Sequence, residues 1–150
     1  MRAVIQRVTK ATVEIDHLTV AEIGCGLLIL IGFEEGDSAI DAEWLSGKIA
    51  RLRVFNDNTG VMNLSVLDVN GEVLIVSQFT LHASTRKGNR PSYIRASRPE
   101  TAIPLYQYFI ERMETEMGRK PQTGKFGAHM KVSLLNDGPV TIIIDTRWKE

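Results

Sequence analysis

The chain has 150 residues, 43% hydrophobic and 24% charged, with 18 basic and 18 acidic side chains and a formal net charge of zero. That length suits one domain over residues 1–150, burying roughly 70% of its unfolded surface, and the composition argues against a disordered or collagen-like chain. No apolar run reaches the ~18–20 residues of a membrane span, no signal-peptide h-region opens the chain, and the lone Cys25 has neither a disulfide partner nor ligand spacing around it, so the expectation is a cytoplasmic protein without metal or cofactor.

Met1–Val8 and Ala11–Ile15 read as strands. Gly26–Gly32 is a continuous apolar run between glycines, the pattern of a strand buried on both faces. Asp37-Ser38 opens a helix with Asp41 as an acidic capping partner, and Ile40, Trp44, Leu45, Ile49 and Leu52 form its apolar face. Asn56–Gly60 is a turn. Val66–Val69 and Glu72–Phe79 flank Asn70-Gly71, which predicts a hairpin with a type I′ turn. Thr80–Arg98 is a long polar loop. Pro99–Gly118 is a second helix, with Ala102, Leu105, Tyr106, Phe109, Ile110, Met113 and Met117 on its face and Gly118 at its end. A loop over Arg119–Lys125 leads to a strand at about Ala128–Leu135, a turn at Asn136–Pro139 and a last strand Val140–Asp145. The sum is an α+β protein, a mostly antiparallel sheet covered by two amphipathic helices.

The zero net charge conceals a split. Residues 1–76 carry 6 basic and 11 acidic groups, and residues 77–150 carry 12 and 7. Ser77–Pro99 holds Arg86, Lys87, Arg90, Arg95 and Arg98 and no acid. Such a chain either presents a positive face to a polyanion or has clustered its surface cations by chance.

Known catalytic signatures are missing: no G-x-S-x-G elbow, no phosphate-binding P-loop, no dinucleotide fingerprint and no H-E-x-x-H. His17, His82 and His129 are scattered and read as solvated or hydrogen-bonded. Cys25 reads as a small buried hydrophobe rather than a nucleophile. Ser77-Gln78-Phe79-Thr80 ends an apolar strand with three hydrogen-bonding side chains in four residues. It is either a polar strand terminus or a place where backbone N–H groups face a ligand. Thr80 as a nucleophile lacks a base beside it in sequence. Gly138-Pro139 is either a strand-breaking turn or a cis peptide whose two carbonyls point the same way and accept from an ammonium. Phe126 and Met130 are either core residues or, beside Lys125, a stacking surface for a base.

Taken together these segments resemble the D-aminoacyl-tRNA deacylase family over nearly the whole chain. The resemblance is carried by Gln6-Arg7-Val8, Gly24–Gly32, Met62-Asn63-Leu64, Ser77-Gln78-Phe79-Thr80-Leu81, Arg90-Pro91-Ser92, Gln122-Thr123-Gly124 and Asn136-Asp137-Gly138-Pro139-Val140-Thr141. It implies a deacylase-like, barrel-like β core and hydrolysis of the ester joining a D-amino acid to the 3′-terminal adenosine of tRNA. Ser77, Gln78, Phe79 and Thr80 would form the catalytic segment. Backbone N–H groups near Phe79 and Thr80 would hold the oxyanion, and the terminal ribose 2′-OH would assist. Gly138-Pro139, cis and braced by Arg7, would act in trans in a homodimer, its carbonyls holding the substrate ammonium and its bulk rejecting L-side chains. Glycyl-tRNA would pass this filter. Phe126 and Met130 would line the adenosine and amino-acid pocket. Arg86, Lys87 and Arg90 would contact tRNA phosphates. The competing readings are a non-catalytic tRNA- or RNA-binding module and a small esterase using Cys25 or Thr80.

Overall fold

The first strand, β1 (Arg2–Ile15), organises the molecule, because it has partners along both of its edges. The computed structural model describes residues 1–149. On one edge the first half of β1 pairs with β3 (Gly26–Gly32) and the second half with β2 (Leu18–Ile23). On the other edge β8 (Lys131–Asp145) runs antiparallel to both halves. The two strands expected at Met1–Val8 and Ala11–Ile15 are therefore one strand; Thr9 and Lys10 break the apolar pattern because they face solvent, not because the chain turns. The sequence reading passed over β2. Its connection to β1 is the two-residue turn Asp16-His17, with φ of 49° and 66° and no glycine, a conformation that Asp, Asn and His adopt more readily than other non-glycine residues.

The sheet continues from β3 to β6 (Glu72–Ser77) and β7 (Gln122–Thr123), and both of these pairings are parallel. The sheet is thus mixed, antiparallel around β1 and parallel beyond β3. β2 curls into contact with β6 and β7, which nearly closes the sheet into a barrel. The expected Asn70-Gly71 hairpin does not form. Residues 66–69 are a turn, held by the Asp68 carboxylate, which accepts from the Ser65 amide at 2.7 Å and hydroxyl at 2.6 Å. Local side-chain bonding to the backbone displaced the ladder that the pattern suggested, and Gly71 donates back to the Val66 carbonyl at 2.8 Å.

Both helices lie on one face of the sheet and pack against each other. In α1 (Ala39–Ala50) the Asp41 carboxylate accepts from the Ser38 amide and hydroxyl. Its buried residues are Ala42, Leu45, Ser46, Ile49 and Ala50; Ile40, expected in the core, is 76% exposed. α2 (Pro99–Met117) follows its reading closely: Ala102, Tyr106, Phe109 and Met113 are buried, and Gly118 at φ 66° closes the helix. Alternate residues of β3 serve two cores. Leu27, Ile29 and Ile31 meet the helices, and Leu28 packs with Val8, Val13, Ile23 and Leu74 inside the curled sheet. This is the two-sided burial that the continuous apolar run predicts. No described helix is long and apolar enough to cross a membrane.

The segment read as strand, turn and strand near the C-terminus is the single strand β8. Lys131–Asn136 pairs with Val8–Glu14, and Thr141–Asp145 pairs with Arg2–Gln6. Residues 137–140 stand out of the ladder opposite Arg7 alone. Asn136–Pro139 is therefore an excursion within a strand rather than a reversal, because β1 offers both flanks a continuous edge.

Candidate active site

The parallel strands β3 and β6 end side by side, at Ile31-Gly32 and Ser77, where the ladder continues for one more bond from the Gln78 amide to the Ile31 carbonyl at 2.7 Å. Carboxyl ends of parallel strands are the usual location of ligand clefts in open sheets. A cavity of about 280 Å³ opens here. Ser77, Gln78 and Phe79 form one wall, and the loop from Phe126 to Met130 forms the opposite one. Phe126 is held by Tyr106, whose ring lies 5.8 Å away and whose hydroxyl donates to the Ile75 carbonyl at 3.0 Å. Burial pushes the Tyr106 hydroxyl pKa up, so it stays a neutral donor. Met130 rests on Gly124, where a Cβ would sit 2.6 Å from its sulfur. The glycine of Gln122-Thr123-Gly124 thus has a packing reason, and Met130 has a fixed place in the wall.

After Gln78 the chain enters one helical turn, Phe79–His82. The turn carries Phe79 to the cavity mouth, 55% exposed, and directs Thr80 elsewhere. Thr80 lines a separate shallow hollow with Arg2, Leu81 and Asp145. Its hydroxyl oxygen accepts from the Gln78 side-chain amide at 2.5 Å, and an amide cannot take a proton from it. Asp145, the carboxylate in that hollow, is bonded to Arg2 at 3.0 and 2.8 Å and to the Arg147 amide. The turn's own bonds run from Leu81 to Gln78 and from Ala83 to Thr80, and use neither the Phe79 nor the Thr80 N–H.

His82, left aside in the sequence reading as one of three solvated or hydrogen-bonded histidines, is fully buried beneath the turn, and neither ring nitrogen has a hydrogen-bond partner. Burial holds its pKa below the usual histidine value, outweighing the Gly32 backbone beside the ring and the Glu34 carboxylate 3.7 Å from Nδ1. Cys25, expected to be buried, is exposed in the turn before β3 and lies outside the cavity.

The long loop after the turn stands on the cavity rim. Ser84 and Ser92 pair across its base at 2.8 and 2.9 Å, Tyr93 packs edge-on against Phe79 at 5.0 Å, and the Ser97 amide donates to the Phe33 carbonyl at 2.9 Å. Arg86, Lys87 and Arg90 are all exposed beyond the Ser84–Ser92 closure.

On the β1–β8 edge, Gly138-Pro139 is a cis peptide, and both residues are exposed. Neither lines the cavity of its own chain. Arg7, 7% exposed, fixes the excursion. Its Nε donates to the Asp137 carbonyl at 2.9 Å, and another guanidinium nitrogen donates to the Val54 carbonyl at 2.7 Å and the Asn56 amide oxygen at 3.2 Å.

Of the residues expected to act together, Ser77, Gln78, Phe79, Phe126 and Met130 share one cavity. The Thr80 side chain faces away from it, and Arg7 with Gly138-Pro139 forms a second group apart from it. The sequence reading missed Gly32, Phe33, Ser97, Ala102 and His129 as cavity residues. Only Ala102 carried a usable signal, a small residue on the buried face of α2.

These features define a class: a small α+β protein with a cavity at parallel strand ends and an acid-free basic loop on its rim. The model of the family described as D-Tyr-tRNA(Tyr) deacylase matches residues 4–145. The chain belongs to that family. It is 64% identical to a D-aminoacyl-tRNA deacylase of Flavobacterium psychrophilum, with 100% of both chains covered. Among solved structures it is similar to a c-Myc DNA unwinding element binding protein, at TM-score 0.91 and 40% identity over 97% of this chain and 98% of that one. A structure described as a probable eukaryotic D-amino acid tRNA deacylase shares the fold, at TM-score 0.82 and 16% identity over 95% and 97% of the two chains.

Proposed function

We propose that the protein hydrolyses the ester bond of D-aminoacyl-tRNA, releasing the D-amino acid and intact tRNA, and so proofreads the chirality of aminoacylation in the cytoplasm. The observation that carries this reading is the convergence of Ser77-Gln78-Phe79 with Phe126 and Met130 on one cavity with the basic loop at its rim. At about 280 Å³ the cavity admits the end of a ligand and not its bulk. A polyanion with one small reactive end matches it: phosphates against Arg86, Lys87 and Arg90, the terminal adenosine and amino acid between Phe126, Met130 and Phe79.

An aminoacyl ester is already activated, so the chain's task is placement and charge stabilisation. Water adds to the ester carbonyl with help from the ribose 2′-OH. The backbone N–H groups of Phe79 and Thr80 face the developing oxyanion, and one such donor is typically worth about 2.7–4 kcal/mol. Ser77 and Gln78 form the adjoining wall. The ester C–O bond then breaks, the ribose oxygen takes a proton, and the amino acid leaves as its carboxylate. Gly138-Pro139 of a second copy completes the site in trans. Its carbonyls receive the α-ammonium and its bulk stands where an L-side chain would go, so selectivity comes from exclusion. Glycyl-tRNA, with no side chain to exclude, is hydrolysed as well. The test is incubation with D-tyrosyl- and L-tyrosyl-tRNA. Release of D-tyrosine alone is expected. Equal or absent release, or salt-sensitive tRNA binding without cleavage, would overturn the reading.

A further inference from the structure

Arg7 is the link between the Gly138-Pro139 excursion and the body of the protein, and one of its acceptors is a side chain that nothing in the proposed reaction uses. Asn56 lies in β4 (Phe55–Asn56), paired with β5 (Met62–Leu64) in a small separate sheet. The loop between these strands is stiff. The Asp57 carboxylate accepts from the Thr59 amide at 2.8 Å, the Thr59 hydroxyl at 2.6 Å and the Val61 amide at 3.2 Å. The hydrogen bonds from Thr59 and Val61 hold the Asp57 carboxyl below the usual range. The Asp57 amide also donates to the Val61 carbonyl at 2.8 Å and its carbonyl accepts from the Gly60 amide at 3.0 Å, and Gly60 takes the left-handed φ of 83° that the turn needs. The Arg53 Nε donates across to the Asn63 carbonyl at 2.7 Å. This rigid hairpin presents the Asn56 amide oxygen to Arg7 at 3.2 Å, beside the Val54 carbonyl at 2.7 Å.

The guanidinium is planar, so the direction of its Nε–H is set once the far side is fixed. The Nε–H donates to the Asp137 carbonyl, and the guanidinium lies so close that a Cβ on Gly138 would sit 3.0 Å from its Nη2. We infer that Asn56 is a specificity-positioning residue: by orienting Arg7 it sets where Gly138-Pro139 stands, and so how sharply L-substrates are rejected. The inference rests on the proposed role of that dipeptide in chiral rejection.

The experiment compares kcat/KM for D-tyrosyl- and L-tyrosyl-tRNA in the wild type, Asn56→Ala, Asn56→Asp, Arg7→Ala and the Arg7→Ala/Asn56→Ala double variant, with Tm measured for each. One hydrogen bond of about 1 kcal/mol corresponds to about a fivefold change. Asn56→Ala is expected to lower the D-over-L ratio about threefold to fivefold, mainly by raising the L-rate. Asn56→Asp keeps an acceptor for Arg7 and is expected to restore the ratio. In the Arg7→Ala background the Asn56 change is expected to have no further effect. If Arg7→Ala collapses the ratio while Asn56→Ala leaves it at the wild-type value, or if the two losses multiply, Asn56 does not act through Arg7 and the inference falls alone. If Arg7→Ala also leaves the ratio unchanged, the role given to Gly138-Pro139 falls with it. A Tm loss in Asn56→Ala with an unchanged ratio marks a structural residue and also overturns the inference.

Discussion

Thr80 and its neighbours show how a side chain's surroundings decide its chemistry. A threonine in a polar strand-end segment is a plausible nucleophile on paper, yet its hydroxyl accepts from the Gln78 amide and lies in a different hollow from Ser77 and Phe79. Among the described residues no base reaches it, because Asp145 is held by Arg2 and His82 is sealed in the interior. Folded Thr80→Ala enzyme is therefore expected to keep turnover of D-tyrosyl-tRNA within about tenfold of wild type, since a lost nucleophile would cost far more. Single-turnover kinetics measure this, and abolished turnover would move the reaction from the backbone to the hydroxyl. The same residue scale explains Cys25 and Ile40. Both are apolar by type, and both are exposed, because no neighbouring element covers those positions.

At the scale of elements, the sequence pattern predicts the structure wherever no local signal competes with a distant partner. β3 and α2 fall where their periodicity put them, because continuous burial and a 3.6-residue stripe each have a single solution here. It was misread wherever a local signal competed with a distant partner. Asn70-Gly71 carries the residues of a hairpin turn, but the Ser65–Asp68 bonds and the parallel edge of β3 claimed the flanking residues. Asp137-Gly138-Pro139 reads as a chain reversal, but β1 accepts β8 on both sides of it. The helical turn Phe79–His82 has a consequence of its own. Its last side chain is buried without a hydrogen-bond partner, and burial lowers its pKa from 6.5. Below pH ~6.5 the unfolded chain binds a proton that the folded chain refuses, so the histidine subtracts stability as pH falls through that value. His82→Leu is expected to lose less stability than wild type between pH 7.5 and 5.5, read from urea midpoints at both pH values. An equal loss in both proteins would place the acid sensitivity elsewhere.

For the whole molecule the relevant quantity is the distribution of charge. The acid-free segment Ser77–Pro99 is anchored to the cavity at both ends, through Phe79 and through Ser97, and the proposed function assigns its cations to the body of a polyanion whose end enters the cavity. Removing Arg86, Lys87 and Arg90 together is expected to reduce the slope of log affinity for tRNA against log salt by about 2–3, at ~0.7–0.9 per phosphate contact. Filter-binding titrations at several salt concentrations measure it, and an unchanged slope would remove these three from the interface.

The amino-acid sequence by itself determined the α+β class, the two helices, the buried strand and the two motif segments, since these depend on local pattern and residue type. Only the tertiary structure decided that the sheet is mixed and that Phe126 and Met130 face Ser77-Gln78-Phe79. The placing of Thr80 outside that cavity, and the fastening of Gly138-Pro139 through Arg7 to Asn56, were decided there too. Each of these joins residues tens of positions apart, and whether such residues meet is settled by strand pairing and packing across the fold, which no local pattern encodes.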